Sequence, residues 1–220
     1  MKNNPIPKNA EEFPIKVEYP IVQTIKLDQS KDYSPVNFWD VLNNRRSSRN
    51  FRKLSLDEIS SVLWASSKVK SLSVQKNGYI LTHRPASSAG ARHPIDIIIL
   101  SATLNCKEFH YYNPFDHSLN RLKLEKFSVD DFLNHVESVI PFGDGTIVWF
   151  ICHPHRTSAK YDNFQSLVWR DAGVLIHSLQ MVCSALGLNS CPVGSLGEPF
   201  ISQGFSPLGE IFGVGGIIIG

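Results

Sequence analysis

Apolar positions along the chain follow two periods. Continuous short runs occur at "IDIIIL" (Ile95–Leu100), "TIVWFIC" (Thr146–Cys152) and in "EIFGVGGIIIG" at the C-terminus. Each is strand-sized rather than membrane-sized, and is expected to be a buried strand. "EFHYYN" (Glu108–Asn113) is expected to form a hairpin with the first. A helical period follows the capping box "SLDE" (Ser55–Glu58), with Ile59, Val62 and Leu63 on one side. Another follows "SVDD" (Ser128–Asp131), with Val129, Phe132, Leu133 and Val136. The longest runs from about residue 164 to 186 through Val168, Ala172, Leu175, Ile176, Leu179, Val182 and Leu186, and Gly187 stops it as a C′ glycine. Ser34-Pro35 supplies an N-cap and a first-turn proline for a helix carrying Phe38, Val41 and Leu42.

Between these elements the pattern breaks. Residues up to Tyr79 read as a loop, "PASSAGARHP" (Pro85–Pro94) holds too many small residues to be regular throughout, and "GLNSCPVGS" is a short strand and turn. Residues 1–33, with prolines at 5, 7, 14 and 20, read as an extended arm that wraps a neighbour or a second subunit. Residues 34–220 then form a single domain. Helices and strands mix without βαβ regularity, which predicts an α+β fold around a mostly antiparallel sheet.

Composition narrows the function classes. Across 220 residues, 22 basic side chains face 20 acidic ones, so a dedicated nucleic-acid binder is disfavoured. The basic charge is local: "RRSSRNFRK" (Arg45–Lys53) holds five cations in nine residues. Cys106, Cys152, Cys183 and Cys191 lack CxxC spacing, and three lie in apolar stretches, so buried free thiols are expected rather than a disulfide framework. Neither a secretory leader nor a membrane span is read, which makes a reducing cytoplasm the expected setting.

Four segments carry candidate chemistry. Arg45, Arg46 and Arg49 with Ser47 offer forked cationic donors and a hydroxyl, the groups that hold a phosphate dianion; a solvated helix end would use the same residues. Ser88, Ala89 and Gly90 would let a ligand lie against the main chain, as would many surface loops. Pro192, Val193 and Gly194 form an apolar shelf with backbone donors and acceptors, or an ordinary strand and turn. Lys160 and Tyr161 would make an acid–base pair, or two exposed loop side chains. His153 and His155 in "HPHR" are expected to be loop histidines, with no metal site. Neither GxGxxG, GxxxxGK[ST] nor GxSxG occurs in a supporting context.

Taken in order, "RRSSRNF", "SSAGARHP" and "DAGVLIHSLQMVCSALGLNSCPVG" resemble the signature segments of the FMN-dependent nitroreductase-like family. Asp171, Gly173, Leu179, Gly187, Leu188 and Gly194 fall on its pattern, and the likeness runs from about Phe38 onward. The small-residue loop and the Lys-Tyr pair resemble the azoline dehydrogenase branch, which oxidises peptide thiazolines and oxazolines to thiazoles and oxazoles. Ser87 stands where that branch usually has proline, His93 where it commonly has tyrosine, and the basic residue many nitroreductases add near the C-terminus is missing.

The resemblance implies an interlocked α+β homodimer with FMN between the subunits, passing hydride equivalents through flavin N5. Arg45, Arg46 and Ser47 would hold the phosphate and Arg49 would lie at the pyrimidine edge. Ser88, Ala89 and Gly90 would line the ring, one amide pointing at N5, with Pro192, Val193 and Gly194 on the other side. Lys160 and Tyr161 would be catalytic. The substrate would be either a nitro or quinone-like acceptor, with NAD(P)H as donor, or an azoline in a modified peptide; a flavin- or partner-binding subunit without turnover is the alternative. Arg52 and Lys53 are left facing solvent. No nucleic-acid or membrane partner is expected.

Overall fold

The computed structural model describes residues 3–29, 34–105 and 107–220, so Cys106 and the turn at 30–33 lie outside the described residues. Its centre is β8 (Thr146–Cys152), an unbroken apolar strand that is buried along its whole length. Alternation divides that strand between two cores: Val148, Phe150 and Cys152 face one, and Ile147, Trp149 and Ile151 face the other. β5 (Ile95–Leu100) pairs with β8 on one side and β11 (Phe212–Ile219) on the other. Outside these lie β6 (His110–Asn113), β7 (Ser118–Leu122) and β2 (Ile21–Lys26) at one edge, and β10 (Ser190–Val193) at the opposite edge. Every pairing in this seven-stranded sheet is antiparallel. The expected α+β class and the hairpin of β5 with β6 are therefore present.

One face of the sheet is covered by α2 (Leu56–Ser67) and the long α5 (Gln165–Ala185). The other carries α3 (Val129–Val139) and the short α6 (Phe200–Gly204). The helices start and stop as their caps dictate. Ser55 and Glu58 close a reciprocal capping box at α2, Ser128 Oγ accepts from the Asp131 N–H at α3, and Gly187 follows α5 at φ 68°.

Three expectations need correction. The first helix, α1 (Phe38–Asn44), begins three residues later than Pro35 predicted, because the Asn37 side chain takes the Trp39 N–H at 2.8 Å and caps it there. The stretch expected as loop contains β3 (Ser71–Val74), which forms a two-stranded hairpin with β4 (Ile80–His83) just beyond it. Within the segment expected as an arm, Ile21–Lys26 is the edge strand of the main sheet, and β1 (Ile6–Pro7) pairs with β9 (Tyr161–Asp162) of the same chain. Cys152, Cys183 and Cys191 are buried free thiols, as expected. No helix among the described residues is long and apolar enough to cross a membrane.

Candidate active site

Two of the four sequence segments meet near the N-terminal half of α5. The Ser88 hydroxyl donates to Asp171 Oδ2 at 2.6 Å, and the Ala89 N–H donates to Oδ1 at 3.1 Å. The same hydroxyl accepts the His93 N–H at 2.9 Å. Asp171 lies buried on the inner side of α5, so burial raises its pKa above the ordinary carboxyl value while the bonds from Ser88 and Ala89 pull the other way. The loop it holds is strained: Gly90, Ala91 and His93 all have positive φ, 58°, 53° and 45°. The amides of Ala91 and Arg92 are taken by the carbonyls of Ser88 and Ala89.

Glycine at position 90 is required by what lies above it. A Cβ there would stand 2.7 Å from Tyr161 Oη and 3.0 Å from Lys160 Cδ. The Lys-Tyr pair is thus packed directly on the small-residue loop, although the two segments are distant in sequence. The N-terminal segment fixes the pair from the other side. Lys8 and Glu12 donate their N–H groups to the carbonyls of Lys160 and Ala159, each at 2.8 Å. Glu11 Oε1 lies 3.0 Å from Lys160 Nζ, and its Oε2 pairs with the buried Arg92. The Lys160 bond, with the Arg92 charge, holds the Glu11 carboxyl below its usual range.

The other two segments meet at the far end of α5. The Ser184 hydroxyl donates to the Val41 carbonyl, which docks α1 there. The chain leaves α1 at Arg45, and the Ser48 N–H donates to the Ser190 carbonyl at the start of β10 at 3.0 Å. Asn189 Nδ2 holds the Asn50 carbonyl at 2.7 Å. Arg46 folds back on the carbonyls of Asn43 and Arg45. None of Arg45, Arg46 and Arg49 lies within ion-pairing distance of a carboxylate among the described residues. Arg52 is exposed, as expected, and in that position donates from both terminal nitrogens to Glu58, at 2.6 and 3.1 Å. Pro192 and Val193 continue β10, and Gly194 is exposed just beyond it.

Within one chain the two clusters do not meet. Asp171 and Ser184 mark them on α5, and thirteen residues of α-helix span roughly 20 Å. The loop-histidine expectation also changes. Pro154–Ser158 is a short helix, α4, and His153 is buried at its start, with Tyr19 Oη 2.7 Å and Asp96 Oδ2 3.1 Å from its Nε2. No metal-binding group of side chains occurs among the described residues. The sequence reading placed Asp171 on the family pattern but gave neither it nor Glu11 a chemical role. Asp171 carried a signal, an acid on the inward period of a helix. Glu11 carried none, because its partners lie far along the chain.

The nitroreductase family model matches residues 42–214, most of the chain, and the protein belongs to that family. No curated protein matches the sequence. Among solved structures, a protein of Ralstonia eutropha JMP134 designated a nitroreductase shares 18% identity at a TM-score of 0.65, covering 96% of both chains. One of Anabaena variabilis ATCC 29413, likewise designated, shares 15% at 0.59; the match covers 89% of this chain and 40% of that one. The Escherichia coli microcin synthetase McbBCD complex, solved with truncated pro-MccB17 bound, contains a chain with 15% identity at 0.52, covering 88% of this chain and 76% of that one. At such identities these structures share the fold.

Proposed function

We propose that the protein is an FMN-dependent oxidoreductase that oxidises azoline-type heterocycles in modified peptides, with a flavin site completed by two copies of the chain. The observation that carries this reading is the packing of Tyr161 Oη and Lys160 on Gly90, which gives the small-residue loop a proton-transfer pair at its surface. Reduction of a nitro or quinone-like acceptor also takes up protons, but onto oxygen, where solvent can supply them; removal of a proton from carbon calls for a placed base.

The residues fit the cofactor. Arg45, Arg46 and Arg49 have no carboxylate partner among the described residues, and Ser47 is exposed beside them, a donor set for a phosphate dianion. Arg49 is assigned to the pyrimidine edge. The strained loop around Gly90 lets a flat ring lie against backbone, and with the amides of Ala89, Ala91, Arg92 and His93 engaged, Ser88 and Gly90 are left as its donors. Pro192, Val193 and Gly194 are assigned to the opposite side of the ring. When bound, FMN supplies the two-electron chemistry.

A single chain separates the phosphate half from the ring half by thirteen residues of α5, roughly 20 Å, so a second copy is needed to bring them together. Exposed Phe38 and Trp39 on α1, with Trp169 and Val174 on α5, offer the apolar surface for that pairing. Azoline aromatisation removes a proton from ring carbon. Lys160 pairs with Glu11, so Tyr161, acting as its phenolate, would be the group that takes that proton and becomes the neutral phenol, with Lys160 Nζ 5.9 Å from its ring to favour the phenolate.

The test is conversion of a thiazoline-containing peptide by the FMN-loaded protein, followed as loss of two hydrogens by mass. Tyr161→Phe and Lys160→Ala should lower turnover by roughly a hundredfold or more while the flavin spectrum persists. Full activity in both removes the pair from the chemistry. Rapid bleaching of the flavin by NADPH, without azoline oxidation, would assign the reductase reaction instead. A bound flavin that neither reagent reduces would mark a non-catalytic subunit.

A further inference from the structure

A concavity borders the small-residue loop at Ala91–His93, and none of the residues assigned to the flavin lines it. It is enclosed by residues 14–17 of the N-terminal segment, the β3–β4 hairpin and Ala91–His93, with a volume of about 320 Å³. That is the size of a small-molecule site. Ile15, Tyr79, Ile80, Tyr111 and Phe115 line it beside the polar Lys16, Thr82 and Arg92, and Arg84 lines it from the end of the hairpin.

The charges around it do not balance. Asp96 is consumed by Arg156, which holds both its oxygens at 2.6 and 2.8 Å, and by His153. Glu11 is shared between two cations, Lys160 and Arg92. Arg92 keeps Nε and Nη1 buried without a hydrogen-bond partner and lies 4.1 Å over the Tyr79 ring. Among the described residues, Arg84 meets the Thr82 hydroxyl at 3.2 Å and the Phe115 ring at 5.8 Å. Burial depresses its pKa, against the pull of the Asp96 carboxylate and with the Arg156 charge adding to the depression. A half-buried guanidinium with open donors, in a pocket with surplus positive charge, suits an oxyanion.

We propose that this pocket binds a small carboxylic acid with a flat apolar body, its carboxylate on Arg84 and its ring between Tyr79, Tyr111 and Ile80. The site is separate from the flavin site and does not rest on the flavin reading. It touches the Lys160 machinery only through Glu11 and Arg92.

The test uses the full chain saturated with FMN, so that the probe is kept from the cofactor site, and compares phenylacetate with its neutral isostere phenylacetamide by calorimetry and thermal melting. Phenylacetate should raise the Tm saturably and bind at least tenfold more tightly than the amide. Arg84→Met should erase that difference. Ile80→Trp, which fills the pocket from an exposed position and keeps every arginine, should abolish binding of both. Absence of phenylacetate binding, equal affinity for acid and amide, or unchanged phenylacetate affinity in either variant overturns the proposal.

Discussion

Glu11 Oε1 lies 3.0 Å from Lys160 Nζ, and this contact ties the N-terminal segment to the loop carrying the Lys-Tyr pair. The same stretch adds the β1–β9 pairing and the amide bonds of Lys8 and Glu12 to that loop. Glu11→Ala should therefore loosen residues 5–17 without unfolding the sheet. The partly exposed Lys160 pair contributes about 1 kcal/mol or less, but the variant also leaves the buried Arg92 guanidinium without its carboxylate, so the total cost should reach about 3 kcal/mol or more and lower the global Tm by roughly ten degrees. Hydrogen exchange reads the local effect: the Lys8 and Glu12 amides should lose protection in the variant. Unchanged protection would show that backbone pairing alone holds the segment.

Gly90 and Tyr161 should be energetically coupled. Gly90→Ala places a methyl group in a left-handed backbone position, costing about 1 kcal/mol, and adds a clash with Tyr161 Oη at 2.7 Å. Removing that oxygen should relieve part of the clash. Denaturant unfolding of Gly90→Ala, Tyr161→Phe and the double variant should give a coupling of roughly 0.5–2 kcal/mol, with the alanine costing less in the phenylalanine background. Strict additivity would mean that the loop and the tyrosine move apart in solution.

His117 makes stability depend on acidity. It is buried between Ser60 Oγ and Tyr112 Oη, each 2.9 Å from a ring nitrogen, and burial lowers its pKa from 6.5 to about 4. His93 is likewise pushed down to about 4, by burial and then by Arg84. The unfolded chain takes up these protons near pH 6.5 and the folded chain does not until about 4. Stability is therefore lost as pH falls through that window and is insensitive to both groups above it. Each shift is worth at most about 3 kcal/mol at pH 4. His117→Gln should start less stable at pH 7, and its deficit should shrink by pH 4; a deficit constant across the window would contradict the assigned burial.

The two cores were legible in the sequence because β5, β8 and α5 carry their own periodicity, and β8 needs nothing beyond "TIVWFIC" to divide between two faces. The β3–β4 hairpin was not, since Ser71, Leu72, Ser73 and Val74 are all exposed and no buried face imposes alternation. Ile21–Lys26 escaped for a similar reason, being an edge strand with one partner and little burial. At the site, the cationic cluster and the small-residue loop declared themselves by residue type. What each packs against depends on contacts distant in sequence, such as Ser88 with Asp171 and Glu11 with Lys160, and no local pattern encodes those.

The separation of the two clusters along α5 gives the sharpest test of the proposed two-chain site. Arg45→Ala/Ser47→Ala damages the phosphate half, and Ser88→Ala/Gly90→Val damages the ring half by removing the Asp171 partner and colliding with Tyr161. Each double variant alone should retain FMN poorly. If each site takes one half from each chain, mixed dimers contain one site with both halves damaged and one with both intact. Statistical mixing across a two-fold interface then restores about a quarter of the wild-type sites. Flavin absorbance after co-refolding equal amounts of the two variants measures this directly. No recovery, with mixed dimers demonstrated by differently tagged chains, would place both halves of the cofactor site within one chain and refute the shared arrangement.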